Sequence, residues 1–165
     1  MKLYVKEKFF SWVKDFSVYD ASGCEKYHVN GEFLSLRNKM HVRDAYGAEK
    51  AFIYSELFTF LPRFVVEAEG REVCRIVKEF TFFRPSYRIE GKDWTIEGDF
   101  WNHDYEITGP YGRVATVHKE WFTLGDAYEL DIAGGEDEIA VLAALLAIDC
   151  VVAASSAAAA TAASN

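Results

Sequence analysis

From Lys2 to Ile132 apolar and polar residues alternate in short runs that break about every ten residues. A period of two puts one face of a strand on a core and the other in water. Twelve such runs predict strands at 3–9, 15–20, 25–30, 39–44, 49–57, 63–68, 72–80, 86–91, 94–98, 103–108, 113–121 and 127–132. Turn residues separate them: Asn30-Gly31, the Asp44–Gly47 stretch, Glu69-Gly70, Gly91-Lys92-Asp93 and Gly109-Pro110. All three prolines, Pro62, Pro85 and Pro110, fall between runs, where a missing N–H costs little. No helical periodicity competes before residue 135. Many short strands at this spacing predict an antiparallel sandwich or barrel.

Beyond Ile132 the pattern changes. Gly134-Gly135 breaks the strand rhythm, and Glu136, Asp137 and Glu138 then set negative charge where a helix N-terminus favours it. Ile139–Ala154 is apolar apart from Asp149 and predicts a helix over 136–154. A helix apolar on every side must be enclosed by protein or lipid. The run is shorter than the roughly 20 residues needed to cross a bilayer, so no transmembrane segment is expected and protein must enclose it. Twelve strands close into a barrel too wide for their own side chains to fill. A small-residue helix about 24 Å long, at 1.5 Å per residue, would fill that lumen. The expected fold is therefore mainly β: a closed antiparallel β-barrel of about twelve strands around a central hydrophobic C-terminal α-helix. One domain, 1–154, is expected, with a disordered Ala-rich tail at 155–165.

A repeat supports closure. Glu56–Phe64, Glu79–Tyr87 and Glu120–Tyr128 share a frame, weakly echoed by Lys8–Phe16. In each, a charged residue ends a strand, an aromatic bend follows, and an aromatic re-enters the next strand eight positions on. These segments are expected to be equivalent corners of one closed sheet, with aromatics plugging the rim.

Composition narrows the function classes. The chain has 165 residues, half of them hydrophobic and 16% aromatic, enough for a sizeable core. A net charge of −8 argues against a nucleic-acid partner and against capture by anionic membranes through overall charge. Cys24, Cys74 and Cys150 are odd in number and far apart, so reduced thiols in a cytoplasmic protein are expected. The N-terminus, broken by charges, does not read as a signal peptide.

Three segments carry a family resemblance: Lys78-Glu79-Phe80-Thr81-Phe82-Phe83, the stretch from Ile96 through Gly98-Asp99-Phe100-Trp101-Asn102-His103-Asp104 to Ile107, and Ala147-Ile148-Asp149-Cys150. Over about residues 1–152 the chain resembles the LURP-one-related family, in particular its short prokaryotic, YxjI-like members. That resemblance implies the fold of the tubby C-terminal domain and the phospholipid scramblases, a twelve-stranded barrel around a central hydrophobic helix. It implies no enzymatic activity. Tubby domains bind phosphoinositides, but no tubby lipid-binding motif occurs here.

Among candidate sites, Arg37-Asn38-Lys39-Met40-His41-Val42-Arg43 is the most suggestive. On a strand, Arg37, Lys39, His41 and Arg43 would line one side for roughly 20 Å. Arginine forks match phosphate oxygens, so such a row could hold an anionic ligand; a solvated outer face is the plainer reading. Arg84 and Arg88, with Lys78, would extend the patch if the strands lie together. Asp99, His103, Asp104 and Glu106 do not share a face, so no metal site is expected, and Asp99 is assigned to a turn. Asp149 is expected to be a structural anchor near the barrel mouth, since a buried carboxylate needs a partner. Each histidine reads as a strand-face residue. No nucleophile, nucleotide or zinc-protease motif is present, and no cofactor is expected. The sequence thus predicts a non-enzymatic binding module that recognises an anionic ligand such as a phospholipid headgroup on the barrel surface. The alternative is a protein-interaction or stress-associated scaffold without a small ligand.

Overall fold

The computed structural model describes residues 1–8, 14–32, 35–120 and 127–163. Twelve strands form one closed antiparallel barrel: β1 (Lys2–Glu7), β2 (Asp15–Asp20), β3 (Glu25–Gly31), β4 (Met40–Asp44), β5 (Glu49–Ser55), β6 (Arg63–Ala68), β7 (Arg71–Lys78), β8 (Tyr87–Glu90), β9 (Trp94–Asp99), β10 (Asp104–Gly109), β11 (Gly112–Glu120) and β12 (Ala127–Ile132). Each strand pairs with its sequence neighbours, and β1 closes on β12 with Leu3 opposite Leu130. Closure removes the sheet edges that would otherwise invite aggregation. The single helix, α1 (Glu138–Ala163), runs through the lumen. Inward positions such as Leu3, Val5, Ile53, Ile96, Ile107 and Leu130 are fully buried and share one core with Ala140–Ile148 of the helix.

Local chemistry explains the closed form. Asp20 and Asp44 open identical turns: each Oδ1 accepts the amides two and four residues on, at 2.8–3.0 Å, and the glycine three on (Gly23, Gly47) takes a positive φ. Register shifts at Val18/Tyr19, Val42/Arg43, Val66/Glu67 and Ile107/Thr108 sit beside such turns. Bulges of this kind sharpen the twist that closing a sheet requires. Asn30-Gly31, expected to be a turn, instead ends β3; a Cβ on Gly31 would approach the Lys14 carbonyl to 3.1 Å, so the glycine serves close packing.

The helix starts where its acidic residues predict. Asp137 is the N-cap, its Oδ1 accepting the amides of Ile139 and Ala140 at 3.1 Å each. Burial raises the Asp137 carboxyl, but the Lys92 ammonium at 2.7 Å and these amides outweigh it and hold it below its usual range. The helix does not end at 154 as expected: it continues through the Ala-rich segment to Ala163. Alanine has the highest helix propensity, and Ser155, Ser156 and Thr161 turn their hydroxyls back onto carbonyls four residues earlier.

Gly98 is the least replaceable glycine. Its φ is +146°, and a Cβ there would lie 2.6 Å from the Asp104 carbonyl oxygen and the Tyr105 Cα. Gly98→Ala is expected to destabilise by at least about 3 kcal/mol, or to abolish folding, since strain and overpacking add. Gly134→Ala, with nothing within 4 Å, should shift the denaturant midpoint negligibly. Equal midpoints for the two variants would refute this.

Candidate functional site

In a closed antiparallel meander the connections alternate between the two ends. The tight turns at 21–24, 45–48, 69–70, 91–93 and 110–111 share one end with the 133–137 link into α1. The connections that follow β1, β3, β5, β7, β9 and β11 leave from the other end, the loop end. The helix enters at the turn end, is buried over Ala140–Val151, and leaves at the loop end. Its last twelve residues, Val152–Ala163, carry no charge and run about 18 Å past the buried segment at 1.5 Å per residue, flanked by the loops as far as Ala158.

Around this exit the loop end is apolar. Leu36, Leu57, Phe58, Phe60, Phe80, Phe82, Phe83 and Trp101 are exposed there, against Met1, Tyr46, Val73 and Tyr111 elsewhere among the described residues. The repeat accounts for it, with a correction. Its re-entrant aromatics, Phe16, Phe64, Tyr87 and Tyr128, are buried as inward plugs. Its bend aromatics do not plug the rim: Phe58, Phe60, Phe82 and Phe83 stand 86–104% exposed. Phe58 holds φ +61°, a left-handed conformation that a bulky residue adopts only under constraint. The bends at 9–13 and 121–126 lie outside the described residues.

Just inside this mouth lies a buried polar cluster. Asp149, 5% exposed, accepts a hydrogen bond from the Tyr128 hydroxyl at 2.8 Å on Oδ1 and pairs with the Lys14 ammonium on Oδ2. Burial alone would lower Lys14; the Asp149 charge and bond outweigh it and raise it. The His103 Nε2 is 3.6 Å from Asp149 Oδ1. The Tyr105 hydroxyl is buried beside them with no hydrogen-bond partner among the described residues. Asp149 thus has the partners an anchor requires. His103 departs from the expectation of a strand-face residue: it sits in the β9–β10 turn with φ +47° and points inward. Asp99 makes that turn, accepting the Asn102 amide at 3.1 Å and its side-chain nitrogen at 2.7 Å.

The predicted basic row does not form. Met40 and Val42 do face the core, as alternation requires, but β4 begins at Met40, so Arg37 and Lys39 precede the strand. The strand's own neighbours neutralise most of the set. Lys39 pairs with Glu32 at 3.1 Å, His41 bridges Glu32 and Glu49, and Arg43 bonds Asn30 and approaches Glu49 at 3.9 Å. Arg88 is clamped between Glu79 and Glu90 at 3.0 and 2.7 Å. It also lies on β8, four strands round from β4, roughly 19 Å along the sheet. Arg37 stacks on Tyr54, 4.5 Å from ring centroid to guanidinium carbon, and bonds the Ser55 carbonyl. Arg37 and Arg84 make no ion pair among the described residues, and both belong to loop-end connections beside the exposed aromatics. Among the described residues no cluster of three or more metal-ligating side chains occurs.

The LURP-one-related family model matches residues 1–149 of the chain. The Bacillus subtilis (strain 168) protein YxjI, itself described as uncharacterized, is 33% identical over 152 residues, covering 92% of this chain and 94% of its own. The chain belongs to the LURP-one-related family. A crystal structure of an Arabidopsis thaliana protein shares the fold, with a TM-score of 0.64 at 12% identity over 91% of each chain.

In this LURP-one-related barrel the mouth cluster and the buried ionisable groups of the core yield two predictions. Removing one partner of a buried ion pair costs roughly 3–5 kcal/mol. Lys14 keeps 31% of its side chain exposed, which puts Asp149→Leu near the lower figure, about 3 kcal/mol. Adding Lys14→Met should restore at least half of that loss in chemical denaturation; a double variant less stable than Asp149→Leu would contradict the pairing.

The second concerns alkali. Burial pushes the Cys74 and Cys150 thiols from 9.0 up to about 11 and about 12, and the Tyr87 phenol from 10.0 to about 12. Tyr105 is raised well above its ordinary value by burial, then by Asp149 and Tyr87. Each raised group keeps in the folded chain a proton that the unfolded chain loses, so stability falls as pH rises. That contribution is whole below about pH 9 and is lost between about pH 9 and 12. The denaturant midpoint should therefore drop steeply above about pH 9; a flat profile to pH 12 would refute it.

Proposed function

We propose that this protein is a non-enzymatic, cytoplasmic binding module that docks end-on to a phospholipid bilayer through the loop-end mouth of its barrel. The observation that carries the reading is the coincidence, at one end only, of the exposed aromatic bends and the uncharged last segment of the helix that emerges between them. Exposed apolar patches of this kind mark partner or membrane surfaces. A bilayer suits the projection better than a protein groove. The projecting segment carries no charged side chain to match a partner, and its part beyond Ala158, past the loops that flank it, would reach about 7.5 Å, the depth of an interfacial anchor. Phe82 and Phe83 would lie at the acyl boundary, with Arg84 and Arg37 at headgroup level, as in interfacial anchors. The anionic-ligand expectation thus moves from the β4 face to the rim, and from five basic residues to these two.

Full burial of a phenylalanine is worth about 1.5–3 kcal/mol, and roughly 1.4 kcal/mol is a tenfold change in affinity. The full chain should co-sediment with phosphatidylcholine vesicles, and more strongly when they carry phosphatidylglycerol. Phe60→Ser/Phe82→Ser/Phe83→Ser should weaken sedimentation at least tenfold with an unchanged melting temperature. No sedimentation of the parent chain, or equal sedimentation of the variant, would overturn the reading; stoichiometric capture of a protein on this rim in its place would favour the scaffold alternative.

A further inference from the structure

Beside the projecting helix, at the same mouth, lies a groove of about 470 Å³. That is within the roughly 300–1,000 Å³ typical of small-molecule sites. One wall is the helix face formed by Cys150, Val151, Ala154, Ser155 and Ala158, with the Ser155 hydroxyl turned back onto the Val151 carbonyl. From Cys150 to Ala158 is eight steps of the helix, so the groove runs about 12 Å along its axis. The opposite wall comes from Leu36 and from the β5–β6 connection, with Leu57 and Pro62. Phe64 and Cys150 close the inner end as a buried floor. The helix wall is made of small side chains, so the space is left open rather than filled; a leucine at 154 would occupy it. Two residues along it, Asn38 and Phe58, hold left-handed backbone at φ 45° and 61°. Strain of that sort costs of order 1–3 kcal/mol and gathers at ligand clamps.

The edge of the groove is polar and cationic. Arg63 borders it, and Arg37 sits beside it, bonded to the Ser55 carbonyl of the groove wall. Neither guanidinium makes an ion pair among the described residues, whereas the bordering carboxylate, Glu56, is directed to Arg75 at 3.8 Å. An open groove with apolar residues along its length and arginines at its outer edge suits an amphiphile with a single apolar chain and an anionic head.

We infer that this groove takes one acyl chain of an anionic phospholipid from the docked bilayer, with the phosphate at the Arg37 and Arg63 edge. The inference rests on the lipid-facing reading of the mouth and gives that mouth a defined lipid subsite. Docking would then be more than surface adhesion, since one lipid would be held stoichiometrically.

The test uses monomeric lysophosphatidylglycerol, below its micelle concentration, titrated into the full chain by calorimetry. Lysophosphatidylcholine and glycerophosphoglycerol, which lacks the chain, serve as companion probes. Saturable one-to-one binding of lysophosphatidylglycerol is expected, weaker binding of the zwitterionic lipid, and none of the headgroup alone. Ala154→Trp, which fills the groove, should weaken binding at least tenfold. Ala153→Trp, exposed on the same turn but off the groove, should not. Arg37→Gln/Arg63→Gln should remove the preference for phosphatidylglycerol. Unsaturable binding, or binding unchanged in Ala154→Trp, overturns the groove. Both tryptophan variants should still co-sediment with vesicles. Lysolipid binding without vesicle binding would sink the docking reading alone, and vesicle binding without a lysolipid site would sink the groove alone.

Discussion

An α-helix with no polar side cannot be left in water, and this requirement organises the whole molecule. Twelve consecutive residues of α1, Ala140–Val151, are buried within the barrel, and the strands' inward side chains close on them from all directions. Burying a Val, Leu or Ile side chain is worth about 1.5–3 kcal/mol, so the helix supplies a large share of the core. Without it the barrel would be hollow, because twelve strands enclose more space than their own side chains fill. Sheet and helix are therefore conditions of each other's stability.

Burial alone does not fix where the helix stops along the barrel axis. A rod of Ala, Val and Leu in an apolar tube loses little by sliding a turn. Polar groups at both ends supply the register. At the turn end Lys92 pairs with Asp137, while Lys26 and Tyr27 hold Glu138 at 2.7 Å each. At the loop end Tyr128 and Lys14 hold Asp149. A slip of one turn, about 5.4 Å, would part these carboxylates from their partners, and for the buried Asp149 an unpaired charge costs several kcal/mol. The ion pairs add little net stability, but they make a single axial position far better than its neighbours.

The fold was legible because period-two alternation and an all-apolar helix are both strong signals. Strand positions such as Leu3, Val5, Met40 and Val42 face inward as alternation requires. Asp149 could be read as an anchor because a lone carboxylate in a greasy run demands a partner, though nothing local in sequence points to Lys14, 135 residues away. The basic row was misread for the same reason. Alternation fixes which face Arg43 occupies, but the carboxylates that meet His41 and Arg43 come from neighbouring strands. His103 was misread because a positive φ in a turn reverses the direction that strand periodicity assigns. The rim aromatics were seen and placed in the right segments, yet their direction is set by loop geometry that has no period.

Fixed register has a consequence for the mouth. If the helix could retreat, the projecting segment would be a switch, exposed only on demand. Withdrawal by one turn would carry Ser155 and Ser156 towards an apolar lumen and pull Asp149 off Tyr128 and Lys14. Both changes cost, and no apolar gain offsets them, because the lumen is already filled. The apolar end is therefore a permanent surface, fixed by the same contacts that complete the core. On the outer wall, by contrast, charges pair across neighbouring strands, as Lys2 does with Glu129 and His41 with Glu49. A barrel built this way presents its exposed apolar chemistry along its axis, where the helix leaves it.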